Sequence, residues 1–314
     1  MSSDPFAGSR RGFLKTAAGL GSAISLSHAE SNQPSPLPKV KFGSTEITRL
    51  IIGSNPFYGY SHFNNLLNAF MRDYMTQDRR MEVLHRCERA GINTWQLHYH
   101  GQTMDDLRRY RSEGGKMNWF LLADFEMLTD LALIGKVVQE LKPVGIAYHG
   151  NRSDDRFKEG RMQVIRDFCK AVRDSGVMVG VSAHNPAVFE TIESQDWDVD
   201  YFQTCAYHVT RSRENAREAF RESPLDSGGM FMENDPQRMF RVVRQTKRPC
   251  LAFKILAAGR MDRPPDVVGA FEMAFRSIKP TDAVIVGMCP RFKDEISENV
   301  ALTMKYGQLS TASA

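Results

Sequence analysis

The sequence predicts a (β/α)8 barrel, in which eight parallel strands are surrounded by helices. From residue 40 onward, short apolar runs alternate with segments of helical periodicity, which is typical of a parallel sheet built from βαβ units. Eight strands and eight helices in about 270 residues match the usual size of such a barrel, whereas a doubly wound sheet usually has fewer units. The predicted strands are Leu50–Gly53, Thr94–His98, Trp119–Asp124, Gly145–His149, Met178–His184, Tyr201–Ala206, Cys250–Ile255 and Ala283–Gly287.

Helical patterns lie between these strands, and an additional hairpin is predicted at 40–49, before the first strand. The start of one helix is marked by Asp235-Pro236, which offers a capping carboxylate and a proline at the first helical position. The helices are predicted near 79–90, 104–113, 128–141, 161–175, 186–194, 236–246, 266–278 and 293–306.

Two of the predicted connections are long. One runs from Ser54 to about Gln77 and is rich in aromatic residues, and the other runs from Val209 to Asn234. In a barrel both follow strands, so both are predicted to lie over the C-terminal face, where barrel enzymes have their active sites. Long ordered loops are usually functional, so we expect lids here rather than loosely packed insertions.

The N-terminus carries the features of an export signal. The run Ser9–Lys15 resembles the twin-arginine signal, and the apolar stretch that follows, Thr16 to Leu26, is too short and too rich in glycine for a permanent membrane span. The run Ser27-His28-Ala29 has small residues at the positions that a signal peptidase reads, which predicts cleavage near Ala29. These features predict transit through the twin-arginine (Tat) translocase and a periplasmic or secreted protein, against the alternative of an amphipathic or disordered N-terminus. The predicted organisation is a signal peptide at 1–29, a linker at 30–39, the barrel at 40–306 and a disordered tail at 307–314.

The composition sets further limits on function. Hydrophobic residues make up 42% and charged residues 25% of the 314-residue chain, proportions typical of a globular protein with a sizeable core. The formal charge of +4 is small and partly belongs to the predicted signal, so it gives no reason to expect nucleic acid or a stable membrane anchor. The five scattered cysteines are expected to be buried, unpaired thiols rather than a disulfide framework.

Five of the eight histidines fall at or just after the ends of predicted strands. Strand ends converge at one mouth of a barrel, so residues far apart in the sequence meet there. A single histidine in such a position is more often a structural hydrogen-bonding group, but five on one rim indicate a shared site for a small-molecule substrate. The five are His98, His100, His149, His184 and His208.

Other polar residues are predicted at the same rim. Lys254 interrupts the apolar run of the seventh strand, and burial would disfavour its charged form, so it is a candidate general base or substrate clamp. The alternative is that its side chain extends to solvent or pairs with an acid. Asp124 follows the third strand, and Gln96 and Gln203 lie on strands where their amides can bind substrate.

Several short segments between residues 40 and 306 carry a family resemblance. They are Phe42-Gly43-Ser44 with Arg49–Gly53, Ala90–Thr94, Gly180–Ser182, Asp198–Gln203, and Gly287 with Glu298-Asn299. On these segments the chain resembles the aldo-keto reductase superfamily. The resemblance implies a barrel that binds NADP(H), with Ser182 and Gln203 facing the nicotinamide. It also implies that Glu298 and Asn299 help to hold the adenosine end.

The family's catalytic set of Asp, Tyr, Lys and His is mostly replaced. The Asp position holds Gln96 and the Tyr position holds His100. The Lys position holds Asp124, and the histidine remains as His149. An aspartate in place of the lysine inverts the local charge and removes the driving force for ordinary carbonyl reduction.

The replacements predict a metal site. Imidazoles and a carboxylate are ligands for divalent ions such as Zn²⁺, Mn²⁺ or Fe²⁺. A bound ion would polarise a substrate oxygen or lower the pKa of a water molecule, in place of the lost Tyr and Lys. The predicted ligands are drawn from His98, His100, Asp124, His149 and His184, and the predicted acid/base groups are Lys254, His208, His149 and His100.

Three functions follow as hypotheses. The favoured one is an exported, metal-assisted enzyme of non-redox chemistry, a lyase, isomerase or hydrolase, that acts on a small polar substrate such as a carbohydrate derivative. The second is an NAD(P)-dependent oxidoreductase of the aldo-keto reductase type. The third is a non-catalytic ligand-binding barrel, which the polar mouth disfavours because unpaired buried polar groups are costly.

Overall fold

The computed structural model describes residues 36–211 and 229–309. Within them, a two-stranded hairpin precedes eight parallel strands that close into a barrel, and helices alternate with the strands, which confirms the predicted fold. The hairpin consists of β1 (Lys39–Phe42) and β2 (Thr45–Thr48), and the barrel consists of β3 (Leu50–Gly53), β4 (Thr94–His98), β5 (Asn118–Leu122), β6 (Gly145–Tyr148), β7 (Met178–Ala183), β8 (Tyr201–Cys205), β9 (Cys250–Phe253) and β10 (Ala283–Gly287).

The barrel closes where its first strand, β3, pairs with its last, β10. The two run in parallel register from Leu50 beside Val284 to Gly53 beside Gly287. The helices of the described residues are α1 (Asn65–Tyr74), α2 (Gln77–Arg89), α3 (Gly101–Ser112), α4 (Phe125–Thr129), α5 (Ala132–Leu141), α6 (Gly150–Lys158), α7 (Met162–Asp174), α8 (Pro186–Ser194), α9 (Asp235–Gln245), α10 (Pro264–Ser277) and α11 (Glu295–Tyr306).

The interior of the barrel is closed by aromatic rings at the end where the hairpin lies. The ring of Phe42, from β1, packs edge-on against Phe120 at a centroid distance of 5.3 Å and against Tyr201 at 5.4 Å. All three side chains are fully buried. Edge-to-face aromatic pairs are stabilising beyond the area that they bury. With this end plugged, cavities for a ligand lie at the other end, where the barrel strands terminate.

The structure differs from the predicted elements mainly in the loops. The first long connection contains helix α1. Asn64 caps the start of this helix by accepting a hydrogen bond from the Leu67 N–H. Helix α6 directly follows β6, where the sequence pattern predicts no helix. Strand β5 ends at Leu122, so Asp124, predicted as the last residue of this strand, is instead the capping residue of α4.

Some predictions about the termini cannot be compared with the structure. The signal peptide at 1–29 lies outside the described residues, as does most of the linker, whose last residue, Lys39, begins β1. In the described part, no helix is long and apolar enough to cross a membrane. The five cysteines are all described and unpaired, as predicted, and four of them are buried.

A buried ion pair fixes the first long loop to the outer helices. Arg80 of α2 donates to both carboxylate oxygens of Asp106 of α3, at 2.6 and 3.0 Å, and the Tyr58 hydroxyl donates to the same carboxylate at 2.8 Å. Asp106 is fully buried and Arg80 is 5% exposed. The loop that carries Tyr58 is therefore hydrogen-bonded to a buried ion pair.

Replacing Asp106 with Asn is expected to lower the free energy of unfolding by about 3 kcal/mol, because the buried Arg80 cation loses its counter-charge. Asp105→Asn is the matched control, since Asp105 is exposed and pairs with Arg108 at the surface. Urea unfolding followed by circular dichroism measures both variants. Equal stabilities of the two would contradict this role of Asp106.

Candidate active site

A cavity of about 240 Å³ lies at the mouth of the barrel, where the strands end. Its walls come from the ends of six different strands and from the first long loop, as expected for the C-terminal face of such a barrel. The lining side chains are strongly polar for an enclosed space. They include His62, His98, His149, His184, Lys254, Asp124, Gln96, Ser182 and Gln203.

A histidine–aspartate pair forms one wall of this cavity. The Nδ1 of His184 lies 2.8 Å from Oδ2 of Asp154, a residue of α6. The same carboxylate accepts hydrogen bonds from the backbone N–H of Asn185 at 3.0 Å and from the Thr210 hydroxyl at 2.8 Å. Asp154 is fully buried and His184 is 4% exposed. Because a carboxylate only accepts hydrogen bonds, the imidazole proton lies on Nδ1, and Nε2 carries a free lone pair.

The titration of the pair follows from its burial. Burial lowers the pKa of His184 in spite of the opposing effect of Asp154. Burial raises the pKa of Asp154, but the hydrogen bonds from His184 and its other donors outweigh this and leave the pKa below its usual value. At neutral pH the pair is therefore a neutral imidazole supported by a carboxylate, which is the form of a general base.

Helix α6 begins with a glycine that makes room for this ring. A Cβ at Gly150 would lie 2.9 Å from Cε1 of His184 and 3.1 Å from Oγ of Ser182. Both distances are shorter than ordinary van der Waals contacts between carbon or oxygen atoms. The sequence run Gly-Asn-Arg-Ser-Asp directly after β6 thus supplies both the space for His184 and, one turn later, its carboxylate partner Asp154.

Two further imidazoles face each other across the mouth. The ring centroids of His98 and His149 are 5.9 Å apart. Burial, together with the neighbouring imidazole, lowers the pKa of His98 to about 3, and burial lowers that of His149 to about 4. The Nδ1 of His149 is buried and has no hydrogen-bond partner among the described residues. Both rings are therefore neutral at physiological pH, and His149 has a nitrogen available for a ligand.

Lys254 follows β9 and reaches into the same cavity. Burial lowers its pKa. Its charge, followed by burial, lowers the pKa of His62, a residue of the first long loop, to about 2. His62 is positioned by a 2.9 Å contact between its Nε2 and Nδ2 of Asn55. The first long loop therefore contributes a side chain to the mouth.

Two of the predicted histidines do not join this group. The ring of His100 caps α3, with Nε2 at 2.7 Å from the Thr103 hydroxyl, and it packs against the ring of Tyr58 at 5.0 Å. His208 donates its backbone N–H to Asp235 at 3.2 Å, and its side chain does not line the cavity. Both residues lie farther past the end of their strand than His149, His184 and Lys254, which directly follow theirs: His100 comes two residues after His98, and His208 three residues after Cys205.

The predicted metal ligands accordingly do not form one donor set. His100 is engaged with Thr103, whereas His184 is held by Asp154 through Nδ1 and keeps Nε2 free. Asp124 lines the cavity but uses Oδ1 to accept from the Phe125 N–H at 2.8 Å. Across the described ranges, no group of three or more His, Cys, Asp or Glu residues is placed to hold a metal ion.

The four residues that the family resemblance assigns to NADP(H) fall in two places. Ser182 and Gln203 line the mouth cavity, and both are almost fully buried. Glu298 and Asn299 line a second cleft of about 250 Å³ beside it. The two spaces are contiguous, because several residues line both. These are Asn55, Tyr60, His62, Gln96, Phe253 and Lys254.

Sequence comparisons identify no relatives, but solved structures share the fold. No protein-family model matches the chain, and no curated protein sequence matches it significantly. The chain is similar to a truncated 3-deoxy-D-arabino-heptulosonate 7-phosphate synthase from Thermotoga maritima, with a TM-score of 0.51, 12% identity, and coverage of 86% of this chain and 91% of that one. It is also similar to the holo form of an aldo-keto reductase from Bacillus halodurans, with a TM-score of 0.52, 11% identity, and coverage of 85% and 90%. At these identities the likeness shows a barrel fold whose structural neighbours include aldo-keto reductases, and function has to be argued from the site.

Proposed function

We propose that the protein is an enzyme of non-redox acid–base chemistry, an isomerase or lyase, acting on a small polar carbonyl compound such as a carbohydrate derivative. The observation that carries the proposal is that a histidine–aspartate pair and a lysine without a hydrogen-bonding partner among the described residues line one cavity. Pockets for drug-sized ligands usually measure about 300 Å³ or more, so the cavity of about 240 Å³ supports a small reacting part of the substrate, and the contiguous cleft of about 250 Å³ leaves room for a further part.

His184 is the proposed base. With its Nδ1 proton held by Asp154, Nε2 can accept a proton from a carbon next to the substrate carbonyl. Removal of that proton places negative charge on the carbonyl oxygen, which needs donors aimed at it. Gln203 offers one, since its Nε2 is buried without a partner among the described residues, and the amine of Lys254 offers another. Return of the proton to a neighbouring carbon gives an isomerase, and loss of a leaving group from that carbon gives a lyase.

The proposal contains no metal step, because the donor set does not fit one. The imidazoles of His98 and His149 face each other, but no third donor joins them in the described residues. Elemental analysis of the purified protein tests this point. A stoichiometric divalent ion, with activity lost in chelator, would favour the metal-assisted reaction predicted from the sequence.

An NAD(P)-dependent oxidoreductase is a second candidate, favoured by the contiguity of the mouth with the cleft at Glu298 and Asn299. The charges in that cleft argue against it. Asp262, Glu295 and Glu298 line it, and Lys293 is paired with Glu298 at 2.6 Å. A dinucleotide pyrophosphate needs cations and backbone donors rather than carboxylates. Fluorescence titration with NADPH tests this candidate, and tight binding would support it.

Deuterium exchange tests the acid–base function and does not require the product to be identified. The purified protein is incubated in D₂O with hydroxyaldehydes, hydroxyketones and small sugars, and NMR records the loss of the C–H signal next to the carbonyl. At least one compound is expected to exchange, with a rate at least about 100-fold lower in His184→Gln, because a positioned base contributes about 10²- to 10⁴-fold. His85→Gln, in α2 and not among the residues that line the cavity, is the control. Absence of exchange across the panel, or equal exchange in both variants, would argue against the function.

Export of the protein is part of the proposal and rests on the N-terminal sequence. Expression of the full chain in a host with a twin-arginine pathway, followed by N-terminal sequencing of the periplasmic fraction, tests it. A mature protein that begins just after Ala29 is the expected result.

A further inference from the structure

Lys254 adopts a backbone conformation that is rare for its residue type. Its φ is 58°, in the left-handed region, where residues other than glycine are uncommon. Ala257 and Ala258, which follow it, have φ values of 49° and 52°. Such conformations cost on the order of 1 kcal/mol or more each, and they persist at functional sites where the surrounding structure enforces them. The chain after β9 is therefore held in a strained turn at the residue that carries the amine.

The amine of Lys254 is enclosed but has no anionic partner. No hydrogen bond or ion pair joins it to another residue in the described ranges, and its Nζ lies 4.9 Å from the ring centre of Phe253. His98 and His149 line the same cavity, and their pKa values of about 3 and 4 make them neutral near pH 7. A lysine that served as a fixed structural cation would be expected to pair with a carboxylate. Burial lowers the pKa of Lys254, and the opposing effects of Cys205 and Asp154 are smaller.

In its neutral form, which a lowered pKa favours, a lysine amine is a nucleophile for carbonyl carbon. The base proposed above packs against the same aromatic ring, since His184 lies edge-on to Phe253 at a centroid distance of 5.6 Å. The Phe253 ring is thus next to both the amine and the imidazole, and all three residues line the cavity. A small carbonyl compound in the cavity can meet both groups at once.

We propose that Lys254 is a covalent nucleophile, which forms an imine with the carbonyl carbon of the substrate. The inference rests on the proposed acid–base function and deepens it, because it specifies an aldehyde or ketone as the substrate class and gives the lysine a covalent role.

The step needs no oxidant, metal or further reactant. The amine nitrogen attacks the carbonyl carbon to form a C–N bond, while the C=O π electrons move to oxygen. That oxygen leaves as water, whose two hydrogens come from the amine, so that amine plus carbonyl give imine plus water. Protonation of the imine nitrogen by solvent then draws electrons from the adjacent C–H bond. His184 Nε2 takes that proton, the electron pair moves toward nitrogen, and hydrolysis after reprotonation restores the free amine.

Reductive trapping tests the inference. The purified protein is incubated with pyruvate, dihydroxyacetone or glyceraldehyde in the presence of sodium cyanoborohydride, and intact-mass measurement and peptide mapping locate the adduct. We expect one adduct per chain, at Lys254, forming at least tenfold faster than at Lys142. Lys142 is a matched reference, because it also has a positive φ, 51°, but is exposed. Lys142→Met is expected to leave the Lys254 adduct unchanged.

Variants separate a covalent lysine from a charged one. Lys254→Arg keeps a cation but cannot form an imine, and we expect it to lose both the rapid adduct and deuterium exchange. Circular dichroism verifies that the variant is folded. Retained exchange in Lys254→Arg, or trapping at Lys254 no faster than at Lys142, or no adduct at all, would overturn the inference.

The same measurements distinguish failure of the inference from failure of the proposed function. His184→Gln is expected to keep the Lys254 adduct while losing exchange. An adduct at Lys254 without exchange by the wild-type protein would leave the imine in place and refute the acid–base function. Exchange that depends on His184 but survives in Lys254→Arg would support the acid–base function and refute the imine.

Discussion

Replacing Asp154 with Asn is expected to reduce the rate of carbonyl-adjacent proton exchange on the order of 10³- to 10⁴-fold. An asparagine at this position presents an NH₂ group to Nδ1 of His184, from which Nδ1 now has to accept. The imidazole proton then moves to Nε2, and the ring no longer has a lone pair directed at the substrate. The loss arises from the tautomer rather than from missing contact area, because Asn and Asp have nearly the same shape.

The neighbouring residue provides the control for this change. Asp155 lies on the same helix, has a side chain that is 44% exposed, and lies 3.8 Å from Arg152. Asp155→Asn alters the charge of α6 by the same amount and is expected to leave exchange within a factor of two or so of wild type, as surface substitutions usually do. Nitrogen-15 NMR of the His184 ring reports the tautomer directly. An Asp154→Asn protein with a proton still on Nδ1 and normal exchange would refute the assigned role.

Asp154 is a residue of the site that the sequence does not predict. The strand ends carry strong signals, since short apolar runs predict them and the topology of a barrel brings them together. This reasoning predicts four site residues from the sequence, and all four line the mouth: His98, His149, His184 and Lys254. Asp154 gives no such signal, because it sits within a helix and reaches the site through the turn that follows β6.

The misplaced residues have a related physical cause. His100 and His208 lie two and three residues after the last residue of their strands, His98 and Cys205, where strand alternation no longer sets the direction of a side chain. The contact of His100 with Thr103 is a helix cap, which competes with any role in the cavity. Asp124 caps α4 and also lines the cavity. Histidine and aspartate are good capping or turn residues, so a polar residue after a strand has two explanations that the sequence does not separate.

The fold is more predictable than the site because it depends on many weak signals that agree. Each of the eight barrel strands is short and apolar, and each is found where the hydrophobic pattern places it, with boundaries that differ by a few residues. The metal prediction depends on five particular side chains pointing in one direction. A single helix cap at His100 is enough to change such a set.

Acid is expected to destabilise the protein strongly through the imidazoles of the mouth. The pKa of His98 is lowered to about 3 and that of His149 to about 4, in both cases chiefly by burial, whereas a histidine in an unfolded chain titrates near 6.5. Below about pH 6.5 the unfolded chain therefore binds protons that the native protein does not bind, and the free energy of unfolding falls with pH. Above that pH the effect is absent, because neither state is protonated.

The size of this fall in the free energy of unfolding depends on the pH interval between the native and the unfolded pKa values. Each histidine contributes up to about 1.4 kcal/mol per pH unit between the two pKa values, so the free energy of unfolding should fall by about 3 to 5 kcal/mol between pH 6.5 and 4.5. Urea unfolding at both pH values measures it. Asp154, with its lowered pKa, acts in the same direction but at lower pH, since its ordinary value is 3.8.

The double variant His98→Gln/His149→Gln isolates the cause. Glutamine keeps a polar side chain but does not titrate, so the variant should lose the share of the pH dependence that His98 and His149 contribute. His62, His184 and His208, whose pKa values are also lowered, should keep their share, and His85→Gln on α2 should keep the whole slope. A double variant with the wild-type slope would place the acid sensitivity elsewhere in the chain. If the slope does flatten, the result links stability to the site, because two imidazoles that line the mouth are then the groups whose burial makes the protein sensitive to acid.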